Sequence, residues 1–337
     1  MRVGIVGAGS MGDAHVPAWK AIASLGADLA GVMARTRSSA EPLAKEHDLK
    51  IYNTYEDLLA DVDIVDICVP THLHRDMTVQ AAEAGKHVIC EKPIALTLED
   101  GRAMIDACNE AGVRLFIAQV VRFVPQYRAA QQVIEAGQIG KPGVIRLTRA
   151  GYQPRKTADN WFLDEERSGG MILDLMIHDY DYARWIAGNV NRVFAKSVRS
   201  KRPEAPGDYA LVALRFENEA IGHIEGGWAY PPGIFRTSFD IAGTDGVIEW
   251  NADTSNPLHT YLAAPPPADK TAEVGRPPLL VAESPFTAQI RHFYEGVIHD
   301  TPFSVVPEDA LAALQIGLAA RESLKTGRSV TINQEAI

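Results

Sequence analysis

The sequence predicts an α/β chain of two domains, a doubly wound parallel sheet followed by an α+β domain on a large open, mainly antiparallel sheet. Three observations carry this expectation. A short apolar run rich in β-branched residues (MRVGIV) enters a glycine loop at the N-terminus. Strand and helix signals then alternate through the first third of the chain, the pattern of βαβ units. After Pro142 the segments become closely spaced strands, several alternating apolar with polar residues as in 209–216, which is the pattern of an antiparallel sheet with one wet face.

The strand at 3–6 runs into Gly7-Ala8-Gly9-Ser10-Met11-Gly12. A strand followed by G-x-G-x-x-G and a helix is the dinucleotide-binding fingerprint in its required context, so residues 1–121 read as a Rossmann domain. Gly7 allows the tight turn, Gly9 lets the backbone approach a pyrophosphate, and Gly12 lets the helix pack on the strand. The helix start at Ser10 and Met11 offers N–H groups and a positive dipole end to the phosphates. Further strands are expected at 28–33, 64–69, 87–90 and 114–118, with helices at 11–24, 39–47, 55–60, 74–84 and 98–111. Gly85 and Gly112 stand where helix C-caps fall.

Residues 122–337 read as the second domain. A helix at 127–135 ends at Gly137 and Gly140. Strands are expected at 143–150, 193–199, 209–217, 220–227, 237–243 and 246–250, with a hairpin turn at Gly243-Thr244-Asp245-Gly246. Helices are expected at 171–187, 286–299 and 307–326, and 263–278, rich in Pro and Ala, reads as an exposed loop. So large a sheet must cover its outer face, and a symmetric partner is the usual answer, so a homo-dimer or homo-tetramer is expected.

Composition narrows the class. The chain has 337 residues, 46% hydrophobic and 23% charged, which suits a soluble protein of two domains. A net charge of −10 with no basic block argues against a nucleic-acid partner. No signal-peptide pattern follows Arg2, and no run reaches the ~18 apolar residues of a membrane span, so a cytoplasmic location and no membrane partner are expected. Cys68, Cys90 and Cys108 are an odd number without metal-like spacing and read as reduced, buried thiols, with no metal site expected.

The end of the second strand decides which dinucleotide is expected. An NAD site wants Asp or Glu there, to accept from the ribose hydroxyls. This chain has Ala34, followed by Arg35-Thr36-Arg37-Ser38. Nothing there repels a 2′-phosphate, and two guanidinium groups with hydroxyls can bind one, so NADP is favoured, with NAD possible.

Glu91-Lys92-Pro93 closes the strand at 87–90, at the carboxyl edge where open α/β sheets bind ligands. A lysine there can contact both a substrate hydroxyl and the nicotinamide ribose, and Pro93 fixes the backbone beyond it. Pro70 and Thr71, with His72-Leu73-His74, top another strand, and His74 is assigned a cofactor-lining role. Ser168-Gly169-Gly170 precedes a helix carrying Asp174 and His178, four residues apart on one face of apolar surroundings. Two titratable groups so placed are either paired with one another or functional, and a carboxylate beside an imidazole suits proton transfer from a secondary alcohol. Asp179 and Asp181, just after, read as capping or solvent-facing groups. Arg122 falls at the expected domain junction and would face substrate. Trp161 and Phe162, in an irregular stretch, could stack on a sugar or pack as core.

Taken together these pieces resemble the Gfo/Idh/MocA oxidoreductase family over essentially the whole chain. The resemblance rests on G-x-G-x-x-G, on Glu91-Lys92-Pro93, on G-G-x-x-x-D-x-x-x-H from Gly169 to His178, and on the closing segment from Glu308 to Val330. It implies an NAD(P)-dependent dehydrogenase or reductase acting on a sugar, polyol or cyclitol, with the open sheet as oligomer interface. It implies that Lys92, Asp174 and His178 are catalytic, with Lys92, Arg122, Trp161, Asp174 and His178 contacting substrate. Whether Lys92 or His178 is the base stays open. Val120-Val121 stand before Arg122 where many members carry Asn, and Ala34 departs from the NAD-using inositol dehydrogenases. The fold also hosts glycosidases that retain NAD, and a non-catalytic NAD(P)-binding sensor is the other alternative.

Overall fold

The computed structural model describes residues 1–152, 154, 160–198, 209–230, 234–252, 259–262 and 283–333. The elements run β1 (Arg2–Val6), α1 (Ser10–Ala21), β2 (Asp28–Met33), α2 (Arg37–His47), β3 (Lys50–Ile51), α3 (Tyr55–Leu59), β4 (Ile64–Ile67), α4 (His74–Glu83), β5 (His87–Glu91), α5 (Leu98–Glu110) and β6 (Leu115–Ala118). There follow α6 (Pro125–Glu135), β7 (Pro142–Ala150), α7 (Glu165–Ser168), α8 (Gly170–Asp174), α9 (Ile177–Ala187), β8 (Val190–Val198), β9 (Tyr209–Phe216) and β10 (Ile221–Gly227). The chain closes with β11 (Arg236–Gly243), β12 (Gly246–Asn251), β13 (His259–Leu262), α10 (Pro285–His299), α11 (Pro307–Thr326) and β14 (Val330–Thr331).

One compact unit is formed by Met1–Phe123 with Glu283–Leu314. Its sheet has the order β3-β2-β1-β4-β5-β6, every neighbouring pair parallel, the doubly wound order of a Rossmann domain. Its central strands are buried on both faces, which is why β1, β4 and β5 read as apolar runs rather than alternations. Thr36, Thr54 and Thr97 start α2, α3 and α5, each hydroxyl accepting from the backbone N–H three residues on.

The expected boundary at 121/122 is corrected at 283–314, which cluster with the first unit and not the second. Packing explains it: the Trp19 ring of α1 meets Phe293 and Tyr294 of α10 edge-on, at 6.3 and 6.2 Å. Phe116 of β6 packs on Phe293 and Phe303 at 5.9 and 5.3 Å. Burying such rings is worth ~1.5–3 kcal/mol each, so the core recruits a helix distant in sequence. Two-residue β3 was not expected; Asp61 holds it, accepting from Lys50 Nζ at 2.8 Å and the Tyr52 hydroxyl at 2.7 Å while pairing with Arg2 at 3.0 Å.

The second unit comprises Val124–Ala282 and the chain from Gln315. Among its described residues eight strands are ordered β13-β12-β11-β7-β10-β9-β8-β14, and of these only β7 and β10 pair in parallel. The hairpin turn at 243–246 joins β11 to β12 as expected. One face of the sheet is buried through Val193, Val212, Ile224, Leu147 and Ile241, and α9 packs against β7 and β10. On the other face Phe194, Val198, Leu211 and Ile221 are exposed. The expected helix at 171–187 is interrupted: α8 ends at Asp174, Met176 N–H reaches back five residues to Met171 O at 3.2 Å, and α9 starts at Ile177. The loop expected at 263–278 lies outside the described residues.

The Lys50 and Tyr52 hydrogen bonds hold the Asp61 carboxyl at about 2, below its ordinary 3.8. The folded value is the depressed one, so its contribution is present above about pH 4 and is lost as pH falls towards about 2. Asp61→Asn is therefore expected to lower Tm at neutral pH, and thermal melts should show the gap to the unsubstituted chain closing across that acid window.

Candidate active site

The loop after β1 is shaped for backbone approach. Gly7 has φ +114°, and a Cβ there would collide with the Cys68 carbonyl. A Cβ on Gly12 would collide with the Gly7 carbonyl. Gly7 N–H donates to Met33 O at 2.8 Å, tying the turn to the end of β2. Gly9 is the N-cap of α1 and supplies no side chain to cap it. A tight glycine turn ending in a twelve-residue helix whose first N–H groups no side chain caps fits a dinucleotide pyrophosphate.

At the end of β2, Ala34 is half-buried and Arg35, Thr36, Arg37 and Ser38 are exposed. Thr36 Oγ1 accepts from Ser39 N–H at 3.3 Å and lies 3.2 Å from Ser38 Oγ and 2.6 Å from Ser39 Oγ, so three hydroxyls cluster at the start of α2. Arg37 donates to Asn53 Oδ1 at 3.1 Å.

Lys92 is half-buried at the carboxyl end of β5, and the Lys92-Pro93 peptide is cis. Its backbone N–H donates to Glu91 Oε2 at 3.2 Å. Pro70 is half-buried, and Thr71 is buried in the turn Thr71–Leu73. His74, expected to line the cofactor, is 1% exposed, with Nδ1 2.9 Å from Pro93 O and Nε2 3.0 Å from Val69 O, and its single N–H in the neutral ring donates to one of these carbonyls. Burial holds this imidazole below its ordinary pKa. It anchors the turn after β5 to the loop after β4.

Behind Glu91 lies a cluster the sequence reading missed. His15 Nδ1 is 2.9 Å from Asp66 Oδ2, Trp19 Nε1 donates to the same oxygen at 2.7 Å, and Cys68 Sγ donates to Oδ1 at 3.3 Å. His15 Nε2 lies 3.1 Å from Glu91 Oε1, at ion-pair distance but off the hydrogen-bond axis. Burial is the largest influence on His15 and disfavours its charge, yet the pull of the Asp66 carboxylate outweighs it and raises the pKa well above the ordinary value. His15, Asp66 and Cys68 are also metal-ligand types within reach of one another. Here, however, N–H and S–H donors converge on the carboxylate, whereas a metal would need their lone pairs. A carboxylate inside an otherwise apolar strand, Ile64-Val65-Asp66-Ile67, was the sequence signal for this cluster.

In the second unit, Gly169 and Gly170 take φ +76° and +67° in succession. Ser168 Oγ accepts from Gly170 N–H at 2.9 Å and reaches the Phe162 and Asp164 carbonyls, locking the turn into α8. Asp174, 8% exposed, ends α8, and half-buried His178 lies in the first turn of α9, so a helix break separates the pair expected on one regular helix. Trp161 stacks on Phe162, ring centroids 4.0 Å apart.

Two further expectations are corrected. Asp179 neither caps nor faces solvent: fully buried, it accepts two guanidinium bonds from Arg149, at 2.8 and 3.0 Å, while Arg149 also reaches the Tyr127 hydroxyl at 3.4 Å. Asp181 is likewise 1% exposed. Arg122, expected to contact substrate, is 3% exposed and donates to Ser304 O at 2.8 Å and Asp309 Oδ2 at 3.0 Å within the first unit. Asp179 and Arg122 are each held by a charge partner far along the chain, which local sequence cannot announce.

The family model described as an oxidoreductase family with NAD-binding Rossmann fold matches residues 1–119, and the GFO/IDH/MocA C-terminal domain model matches 127–249. The chain belongs to the Gfo/Idh/MocA family. It is therefore an oxidoreductase with an NAD-binding Rossmann domain. It is 33% identical to myo-inositol 2-dehydrogenase of Thermotoga maritima over 99% of each chain. It is 31% identical to 1,5-anhydro-D-fructose reductase of Ensifer adhaerens over 98% of each. Among solved structures, levoglucosan dehydrogenase in complex with NADH and levoglucosan superposes with a TM-score of 0.87 at 25% identity, covering 99% of this chain and 100% of that one.

Removing one partner of the Arg149–Asp179 pair strands a buried charge. Arg149→Met is expected to cost roughly 3–5 kcal/mol in urea unfolding, and Arg149→Met with Asp179→Leu substantially less. Equal losses in the single and double variants would contradict this.

Proposed function

We propose that this oxidoreductase transfers a hydride between a nicotinamide dinucleotide and a secondary alcohol or ketone of a sugar, polyol or cyclitol, and that it prefers NADP(H). The observation that carries the substrate class is the whole-length similarity to a cyclitol dehydrogenase and an anhydrosugar reductase, joined to an intact Lys92, Asp174 and His178 set. When bound, the dinucleotide supplies the hydride acceptor at its nicotinamide C4.

The chain's own residues supply position and proton transfer. Lys92 Nζ donates a hydrogen bond to the reacting oxygen and favours the charge that develops on it. His178 takes the hydroxyl proton during oxidation and returns it during reduction, as an imidazole is suited to do near neutral pH. Asp174, a carboxylate with 8% exposure, orients the substrate hydroxyl or the His178 ring. Trp161 offers an aromatic face for the C–H surface of a sugar. The glycine loop and the first N–H groups of α1 hold the pyrophosphate.

The NADP preference rests on Ala34, which presents no carboxylate, beside exposed Arg35 and the Thr36, Ser38 and Ser39 hydroxyls at the start of α2. A 2′-phosphate there meets a guanidinium, hydroxyls and a helix N-terminus together. The same reading makes the chain a cytoplasmic homo-oligomer, with Phe194, Val198, Leu211 and Ile221 on the covered face of the second sheet. Three free, buried cysteines suit a reducing compartment.

The deciding assay follows nicotinamide absorbance with NADP(H) and NAD(H), separately, against myo-inositol, scyllo-inositol, 1,5-anhydro-D-fructose and levoglucosan. Turnover of at least one compound is expected, with Lys92→Ala and His178→Ala each lowering kcat by about 10²–10⁴-fold. Full activity in both variants would remove the mechanism. For the cofactor, NADPH is expected to bind more tightly than NADH, and Arg35→Ala with Arg37→Ala to abolish the difference. Equal affinities in the unsubstituted protein would overturn the preference.

A further inference from the structure

The His15 cluster joins two parts of the first unit that carry different duties. His15 lies on α1, three residues beyond the last glycine of the loop that receives the pyrophosphate. Glu91 ends β5 and is bonded to the backbone of Lys92. Asp66 stands on β4 between them. The path runs from Trp19 and Cys68 to Asp66, from Asp66 to His15, from His15 to Glu91, and from Glu91 Oε2 to Lys92 N–H, with links of 2.7, 3.3, 2.9, 3.1 and 3.2 Å. His15 and Asp66 have no solvent exposure and Glu91 has 5%.

We propose that His15 is a positioning residue, an imidazolium held between the Asp66 and Glu91 carboxylates, which fixes the Glu91-Lys92-Pro93 turn relative to the phosphate-binding helix and so aims the Lys92 amine. The inference rests on the reading of Lys92 as catalytic. Its chemical ground is charge pairing. Nδ1 of His15 bonds to the Asp66 carboxylate, and Nε2 lies 3.1 Å from Glu91 Oε1, at ion-pair distance though off the hydrogen-bond axis. A neutral ring would leave two buried carboxylates side by side with no cation between them, whereas the doubly protonated ring places one positive charge within ion-pair distance of both. Other groups around the ring leave that requirement in place. Cys68 Sγ, 3.4 Å from Nδ1, donates to Asp66; Trp19 Nε1 does the same; and Phe286 of α10, its centroid 5.8 Å away, brings no charge. The triad then carries one net negative charge in place of two, and Glu91 is held for its second oxygen to receive the Lys92 N–H.

The arrangement is too expensive for packing alone. Apolar residues of similar volume could fill the same space without desolvating three charges, and such replacements in other proteins are neutral or stabilising. What a packed core cannot supply is a fixed azimuth for Glu91 at a strand end that must place an amine. A misplacement of about 1 Å at such a group can cost ~10²-fold in rate.

The test uses the full-length chain labelled with [15N]histidine, its ring-nitrogen shifts followed from about pH 6 to about pH 9, with His15→Asn assigning the signal. Two protonated ring nitrogens throughout are expected, and Glu91→Gln should bring a titration into the window. A ring with one bare nitrogen at neutral pH would overturn the proposal. In parallel, His15→Asn keeps a donor towards Asp66 but withdraws from Glu91. It should lower kcat on the compound that turns over by about 10–100-fold, with the Kd for NADPH, read by fluorescence, changed less than about threefold. His15→Gln, whose longer amide reaches Glu91, should recover part of the rate. Unchanged kcat in His15→Asn beside a dead Lys92→Ala overturns this inference alone. An active Lys92→Ala overturns the catalytic reading beneath it. A parallel fall in kcat, NADPH affinity and Tm makes His15 merely structural and also overturns the proposal.

Discussion

A single buried carboxylate constrains much of the first unit. Asp66 sits with no exposure in the middle of a parallel sheet, where an unpaired charge would be prohibitively costly. Its donors, His15 and Trp19, are four residues apart on α1, so meeting the demand fixes the rotation of that helix about its axis. The same rotation brings the start of α1 to the Gly7 turn and directs Trp19 at Phe293 and Tyr294 of α10. Loop geometry, helix azimuth and recruitment of a distant helix are therefore one solution to one electrostatic requirement.

What the sequence made legible was what is local and periodic. The β1–glycine loop–α1 junction, the βαβ alternation, the 243–246 hairpin and the Lys92-Pro93 segment at a strand end are each written in consecutive residues. What it hid was decided by partners far along the chain. Arg122 is paired with Asp309, 187 residues away. Asp179 looks exposed until Arg149 is seen across the sheet. The α8–α9 break was invisible because 171–187 holds no Gly or Pro and is helix-compatible throughout, and only backbone geometry shows that Asp174 and His178 sit on either side of it. Two-residue β3 is too short for any period to reveal. His74, too, meets the Val69 and Pro93 carbonyls, partners no local pattern names.

The proposed mechanism draws on groups of both units. The first holds a turn only glycine can make, an uncapped helix start, and a lysine on a strand end backed by buried charge. The second carries a carboxylate and an imidazole at a helix junction, braced by the Gly169-Gly170 turn on one side and by Arg149–Asp179 on the other. Backbone held in this way suits the proposed duty of Asp174 and His178, groups that must hold a proton at a defined place. Selection among sugars then falls to the residues around these fixed groups, which is how one framework serves relatives named for inositol and for an anhydrosugar.

The most direct measurement is the fate of the hydrogen on the dinucleotide. NADPH bearing deuterium at the transferable C4 position would be incubated with the ketone that the enzyme reduces, and the product examined by NMR. Deuterium bonded to the new carbinol carbon, with none lost to water, is the result expected of direct hydride transfer between nicotinamide and a secondary alcohol. Label that remains on the dinucleotide while a glycosidic bond is cleaved, or that appears in solvent, would contradict it.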